Sequence, residues 1–286
     1  MRGLSLSGGG IKAAAHIGAL KAFEEEKIKF DCVSGASSGS IIATMYALGY
    51  SSDEMWKLFK KYYKKIKYVE WKQVIKMILG LLFTRRLVID GLNSGKVIEK
   101  IINEICKKSH VENINEIKMP LMISMVDLQK GTVYIASSQE KRKVLQDNTK
   151  YISDIPIATA VRASCSFPVV FSPCKFDGLQ LIDGGTRENL PWKVLKEYGA
   201  DEVYGIAFDT ILEKNQCCKN MIEVAARAME LQGRELANYE KEGIDHLITI
   251  CLKKVALLDS SQIDILYKMG YEETKKQLNL LKKSTK

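Results

Sequence analysis

The sequence predicts an α/β fold with a mostly parallel central sheet. Short apolar runs suited to strands alternate with helical stretches along most of the chain. The first two such runs each end in a glycine-marked turn that opens a helix. Short strands separated by helices are the pattern of α/β proteins, whose sheets are largely parallel. The composition agrees: 46% of the 286 residues are hydrophobic and 27% charged, which excludes a disordered, collagenous or disulfide-scaffold protein.

In chain order, residues 3–7 read as a short buried strand, and Gly8-Gly9-Gly10 then lead into a helix over 12–26. Residues 31–34 read as the second strand, followed by Gly35-Ala36-Ser37-Ser38-Gly39 and an apolar helix through Leu48. Further strands are expected at 121–126, 132–136, 179–182, 203–208 and 247–252, with helices around 96–107, 221–238 and 261–281. All five prolines lie between 120 and 191, so that third is expected to be rich in loops. A chain of this length buries roughly three quarters of its unfolded surface. With no internal repeat and no Pro/Gly/Ser linker, residues 1–286 are expected to form one domain.

The chain carries a net charge of +9, and its placement is uneven. Between Lys57 and Arg86 stand ten basic residues and one acid, Glu70, so this segment alone accounts for the whole excess. One basic block on a neutral body points to a local docking surface. Seven cysteines without a CxxC pair read as reduced thiols of a cytosolic protein. The N-terminus starts directly with a strand and shows no basic-then-apolar leader. The longest apolar run, 77–83, is far short of the ~20 residues that span a bilayer.

Three glycine-marked turns carry chemistry. The first, Ser7-Gly8-Gly9-Gly10-Ile11-Lys12, runs from a strand into a helix, where free N–H groups can face a phosphate or an oxyanion. Gly8-x-Gly10-x-x-Ala13 is also a weak dinucleotide fingerprint, but the acid at the matching distance, Asp31, precedes its strand instead of ending it. The second, Gly35 to Gly39, has the strand–turn–helix context of a nucleophile elbow, with Ser37 as the candidate nucleophile. The third, Asp183-Gly184-Gly185, sets a carboxylate at the end of an apolar strand, although Asp-Gly is also a routine hairpin turn.

Three histidines compete with Asp183 as the partner of Ser37. His16 lies in an alanine-rich helix and reads as a packing residue, and His110 follows a basic helix end. His246 would complete a Ser–Asp–His order, yet it begins its apolar strand and so belongs at the wrong edge of the sheet. Asp183 is the better partner.

Taken together and in this order, the three turns resemble the patatin-like phospholipase family. Arg162-Ala163-Ser164, Phe167-Pro168 and Asn189-Leu190-Pro191 extend the likeness over nearly the whole chain, in the manner of the short bacterial members. The sequence departs from the family at Lys12, where arginine is commoner, at Ala13, and at Val169, where a glycine often follows the proline. The resemblance implies a three-layer α/β/α fold. It also implies a serine acyl hydrolase working through a Ser37–Asp183 dyad and an acyl-enzyme, on phospholipid or lysophospholipid esters. The oxyanion hole would comprise Gly8, Gly9, Gly10 and Lys12, with Gly9 and Gly10 the favoured donors; Gly35, Gly39, Gly184 and Gly185 are the motif glycines. No metal, cofactor or nucleic acid is expected, and a homodimer is left open. The expected location is cytoplasmic, peripheral at the inner membrane face.

Two other readings stand beside this one: a nucleotide-binding enzyme using the glycine loop, and a non-catalytic membrane-surface protein. The stretch 56–90 bears on the second. It interleaves lysines with Trp56, Phe59, Tyr62, Tyr63 and Tyr68, then turns almost wholly apolar from Val74 to Phe83 before Arg85-Arg86. It reads as a lid-like insertion that docks on an anionic membrane surface or as a helical cap with solvated lysines; interleaved lysines and aromatics also suit single-stranded nucleic acid, which leaves the apolar run unexplained.

Overall fold

A computed structural model describes residues 1–67, 69–86, 88–139, 148–210, 217–218, 221–252 and 262–284. Tyr68, inside the basic segment, and Ser261, the expected start of the last helix, lie outside them. In chain order the strands are β1 (Arg2–Leu6), β2 (Cys32–Ala36), β3 (Leu121–Asp127), β4 (Val133–Ser137), β5 (Thr149–Ile152), β6 (Cys174–Phe176), β7 (Leu179–Asp183), β8 (Glu202–Thr210) and β9 (His246–Leu252). The helices are α1 (Ala13–Glu25), α2 (Ser38–Ala47), α3 (Ser52–Tyr62), α4 (Trp71–Thr84), α5 (Lys96–Lys107), α6 (Ile157–Ser164), α7 (Lys193–Tyr198), α8 (Met221–Glu240) and α9 (Ile263–Ser284).

The sheet runs β5-β4-β3-β2-β1-β8-β9. Strands β3, β2, β1, β8 and β9 are all parallel, with Leu4 of β1 between Val33 of β2 and Tyr204 of β8. β4 pairs with β3 in the opposite direction, as does β7. Alternate residues feed two apolar layers, as the pleat requires. Leu121, Ile123 and Tyr134 join a large core under α1, α2, α5, α6 and α9, while Met122, Val133 and Ile135 join a smaller one with Trp192, Val194 and Leu195. This is the three-layer α/β/α arrangement.

The proline-bearing stretch carries the expected strands as β3, β4 and β7, and in addition β5, β6 and α6, so it holds more regular structure than a loop-rich third. Its prolines stand at element ends: Pro120 precedes β3, Pro156 caps α6 and Pro173 precedes β6. A residue without an N–H, and with fixed φ, is tolerated there.

The basic segment divides in two. α3 starts at a capping box, the Ser51 hydroxyl accepting from the Glu54 N–H while the Glu54 carboxylate accepts from the Ser51 N–H. It buries Met55 and Tyr62, and the Trp56 ring lies 4.5 Å from that of Tyr267. Its lysines lie against its own aromatics, Lys60 over Trp56 and Lys61 over Tyr62, at 5.1 and 4.7 Å. α4 is different: only Gly80 is buried.

α9 crosses α1 at a glycine contact. A Cβ on Gly270 would lie 2.0 Å from the Ala15 carbonyl oxygen, and one on Gly18 equally close to that of Tyr267. Backbone faces backbone there, so no side chain can yield. Gly270→Ala is therefore expected to lower stability by at least about 2 kcal/mol, an overpacking cost, read as a fall in the urea midpoint. Gly233→Ala in α8, with open space around it, is expected to raise stability by up to about 1 kcal/mol.

Candidate active site

Residue pairings along β3 bring the site together. β2 pairs with Leu121 to Ser124 of β3, and β7 pairs with Met125 to Asp127. β4 occupies the other edge across Met122 to Val126. β2 and β7 therefore share one edge of β3 and meet end to end, β2 arriving from below and β7 from above. The residue that follows β2 is Ser37, and the residue that ends β7 is Asp183.

Ser37 has φ 49° and ψ −127°, a strained backbone for a residue with a side chain. Three contacts hold it. Its N–H donates to Ser164 Oγ at 2.9 Å, and its carbonyl accepts from both the N–H and the hydroxyl of Ser40, at 2.9 and 2.6 Å. Gly39 lets α2 start flush against β1, since a Cβ there would lie 2.4 Å from the Leu6 carbonyl oxygen. Gly35 faces the Gly39 carbonyl across the same turn. The Ser37 hydroxyl emerges pointing at Asp183 and donates to Oδ2 at 2.7 Å.

Asp183 is 2% exposed. Its Oδ1 accepts from the Gly185 N–H at 2.8 Å, and its own N–H donates to the Ser166 carbonyl. Gly184 packs against Ser124 of β3. Burial pushes the Asp183 carboxyl up to about 7, against the opposing pull of the Ser37 hydroxyl and the Gly185 N–H. Cys165 sits beside the pair, and burial holds its thiol well above the ordinary value, so it stays neutral.

The glycine loop lies on the other side of Ser37. The Gly8 N–H is engaged by Asn189, donating to its carbonyl and its Oδ1 at 3.2 and 3.0 Å. Among the described residues the N–H groups of Gly9 and Gly10 have no acceptor, and Gly10 is exposed with φ 60°. Lys12 places its ammonium 5.9 Å from the centre of the Phe208 ring. Asn189 is held in turn by Glu240, whose carboxylate accepts from the Asn189 and Leu190 N–H groups. Burial raises the Glu240 carboxyl to about 8.

The histidines stand apart from this pair. His246 begins β9 and bonds Glu202 at 2.7 Å, at the opposite edge of the sheet, as its place in the sequence required. His16 is fully buried and its Nε2–H donates to the Ser7 carbonyl at 2.7 Å, with burial lowering its pKa to about 4. His110 follows the end of α5. Asp31 precedes β2 and accepts from the Arg2 N–H, so it lies far from the glycine loop it would have to serve in a nucleotide site. The contacts of Ser164, Asn189 and Glu240 carry no sequence signal of their own beyond the motifs Arg162-Ala163-Ser164 and Asn189-Leu190-Pro191.

Residues 4–196 match the patatin-like phospholipase family. The chain belongs to that family. A Bacillus subtilis relative, the uncharacterised protein YqhO, is 32% identical over 206 residues, covering 67% of this chain and 66% of the relative. Lysophospholipase NTE1 of Lodderomyces elongisporus is 26% identical over 204 residues, covering 71% of this chain and 12% of that longer protein. The chain thus spans at most about two thirds of these relatives' length. The crystal structure of VipD from Legionella pneumophila shares the fold, with TM-score 0.55 and 19% identity, covering 97% of this chain and 66% of VipD.

Against this patatin-like frame, Val169 becomes legible as a departure. Its φ is 70°, a conformation that glycine adopts freely and that strains a β-branched residue. Ala13 is 2% exposed and small enough for the helix start to pack.

The Asp183 carboxyl gives a stability prediction. Its folded pKa of about 7 stands above the unfolded value near 3.9. Between those values the unfolded chain has lost the proton and the folded chain keeps it, so the group's contribution falls as pH rises. It is fully present below about pH 4 and lost above about 7. Asp183→Asn removes this dependence. The melting temperature of the variant relative to the native chain is expected to rise from pH 4 to 7 and then level, by up to about 4 kcal/mol in stability.

Proposed function

We propose that the protein is a carboxylic ester hydrolase of the phospholipase A or lysophospholipase kind. It cleaves fatty-acyl esters of phospholipids or lysophospholipids through a Ser37–Asp183 dyad. The observation that carries the reading is the 2.7 Å bond from the Ser37 hydroxyl to a buried carboxylate whose pKa is raised to about 7. A base poised near the working pH takes a proton efficiently and gives it back.

Ser37 Oγ attacks the ester carbonyl while its proton passes to Asp183 Oδ2. The oxyanion that forms is met by the free N–H groups of Gly9 and Gly10, with the Lys12 charge nearby. Collapse breaks the bond to the alcohol oxygen, which takes the proton from Asp183 and leaves as the lysolipid or, from a lysolipid, the glycerophosphodiester. Water then attacks the acyl-serine and gives its proton to Asp183. The second collapse releases the fatty acid and returns the proton to Ser37. Asn189 and Glu240 act as positioning residues for the loop, through the Gly8 N–H.

The family supports a lipid substrate, and the name of the NTE1 relative adds lysolipids to the candidates. Among the described residues no helix is long and apolar enough to cross a membrane. The proposed enzyme is cytoplasmic and peripheral and meets its substrate at an anionic membrane surface.

Fatty-acid release from mixed phospholipid and lysophospholipid vesicles tests it. Ser37→Ala and Asp183→Asn are each expected to lose at least about 10³-fold in rate with unchanged circular dichroism, while His246→Ala stays active. The native rate is expected to rise with pH through an inflection near 7, where Asp183 ionises. An active Asp183→Asn beside an inactive His246→Ala would replace the dyad with a triad.

A further inference from the structure

α4 turns its most apolar side to water. Trp71, Ile75, Ile78 and Leu82 are 79, 53, 47 and 71% exposed, and their spacing puts them in one stripe along the helix. Leu79, Leu81 and Phe83 widen it. A surface helix normally buries such a stripe, and a contiguous exposed apolar patch marks a place of interaction.

The patch is tied to the loop that holds Asp183. The Glu70 N–H, at the start of α4, donates to the Leu92 carbonyl at 2.9 Å. The N–H groups of Leu92 and Asn93 donate to the carbonyls of Val169 and Val170. That loop exposes Phe167 and Val169, and its Ser166 carbonyl accepts the Asp183 N–H. Val169 spends backbone strain, at φ 70°, on a side chain that is 46% exposed. The strain is held by the Leu92 N–H bond to the Val169 carbonyl, at a position whose side chain faces outward beside Phe167.

Charge selects the occupant. Lys72 and Lys76 lie within α4 and are exposed, Arg85 and Arg86 follow its end, and the segment 57–86 carries nine net positive charges. A second copy of the chain would bring the same charges face to face. A single-stranded nucleic acid would leave the apolar stripe in water, and the aromatics of α3 that could stack on bases are already packed on one another and on Tyr267.

We propose that α4 and the 167–169 loop form the surface on which the protein seats on an anionic phospholipid bilayer. The Trp71–Leu82 stripe and Phe83 enter the acyl boundary, and Lys72, Lys76, Arg85 and Arg86 meet lipid phosphates. The role of this surface rests on the acyl-hydrolase reading, because it brings substrate to Ser37; the binding itself does not.

The test uses the full chain carrying Ser37→Ala, co-sedimented with phosphatidylcholine vesicles with and without phosphatidylglycerol. Binding is expected to require the anionic lipid and to weaken at high salt. Ile75→Ser with Leu82→Ser, or Gln at Lys72, Lys76, Arg85 and Arg86, is expected to weaken it about tenfold or more. Gln at Lys27, Lys29, Lys268 and Lys283, exposed elsewhere, is expected to leave it unchanged. Val169→Gly relieves strain, so it is expected to fold and melt no lower than the native chain, and still to bind vesicles several-fold more weakly. Vesicle binding indifferent to the α4 changes would overturn the proposal. So would a dimer that Ile75→Ser with Leu82→Ser dissolves, or tighter binding to a single-stranded polynucleotide than to vesicles. Hydrolysis of p-nitrophenyl butyrate by the native chain, lost in Ser37→Ala, separates the two readings. Hydrolysis without vesicle binding sinks the surface alone, and vesicle binding without hydrolysis sinks the catalytic reading alone.

Discussion

One edge of β3 is shared by two strands, and the rest of the site depends on that. β2 fills it as far as Ser124 and β7 from Met125 onward. Because the two run toward each other, the residue after one and the last residue of the other must be neighbours. Parallel sheets place chemistry at the carboxyl ends of their strands. An antiparallel strand laid head-on against a parallel one brings a second functional residue to the same point without another crossover helix. The glycines follow from this crowding: Gly184 must pass Ser124, and Gly39 must pass Leu6.

The same crowding sets the electrostatics. Asp183 is closed off by β3, Ser166 and Cys165, and burial is the largest influence on its carboxyl. Burial that weakens the fold at neutral pH is also what raises this carboxyl to about 7. Glu240 is raised in the same way, but its oxygens face the backbone N–H groups of Asn189 and Leu190. Two buried carboxylates thus have different partners: Asp183 faces the Ser37 hydroxyl, and Glu240 fixes the chain whose Asn189 holds the Gly8 N–H. The backbone strain at Ser37 is borne by the same neighbourhood, through Ser164 and Ser40.

What was legible in the sequence was local. β1 and β2 lie within two residues of their expected ends, because a strand, a glycine turn and a helix are written in consecutive residues. Ser37 was legible for the same reason. Asp183 was legible as a residue but not in its geometry, since only the pairing with β3 reveals that β7 runs antiparallel. In the middle third the apolar runs marked β3, β4 and β7, while β5, β6 and the eight-residue α6 are short elements among prolines that carry no comparable signal. Ser164 meets Ser37 across 127 positions and Asn189 meets Gly8 across 181, so no periodicity could join them.

The two halves of the basic segment show why composition alone could not assign it. α3 and α4 are both apolar on one side and lysine-bearing on the other. A helix of that kind is stable in water only when its apolar side finds a partner. For α3 the partner is inside the protein: Met55 is fully buried and Trp56 lies on Tyr267. Among the described residues α4 has none for Trp71, Ile75 or Leu82, and it is held by its ends, through Glu70 and the close approach of Gly80 to Val88. Whether an amphipathic helix caps a core or faces outward is thus decided by tertiary contact, beyond the reach of its own residues. The outward apolar stripe of α4 is bonded, through Glu70, Leu92 and Asn93, to the loop at Val169 and Val170. That loop also accepts the Asp183 N–H at the Ser166 carbonyl, so α4 and the Ser37–Asp183 pair are linked through one short stretch of backbone hydrogen bonds.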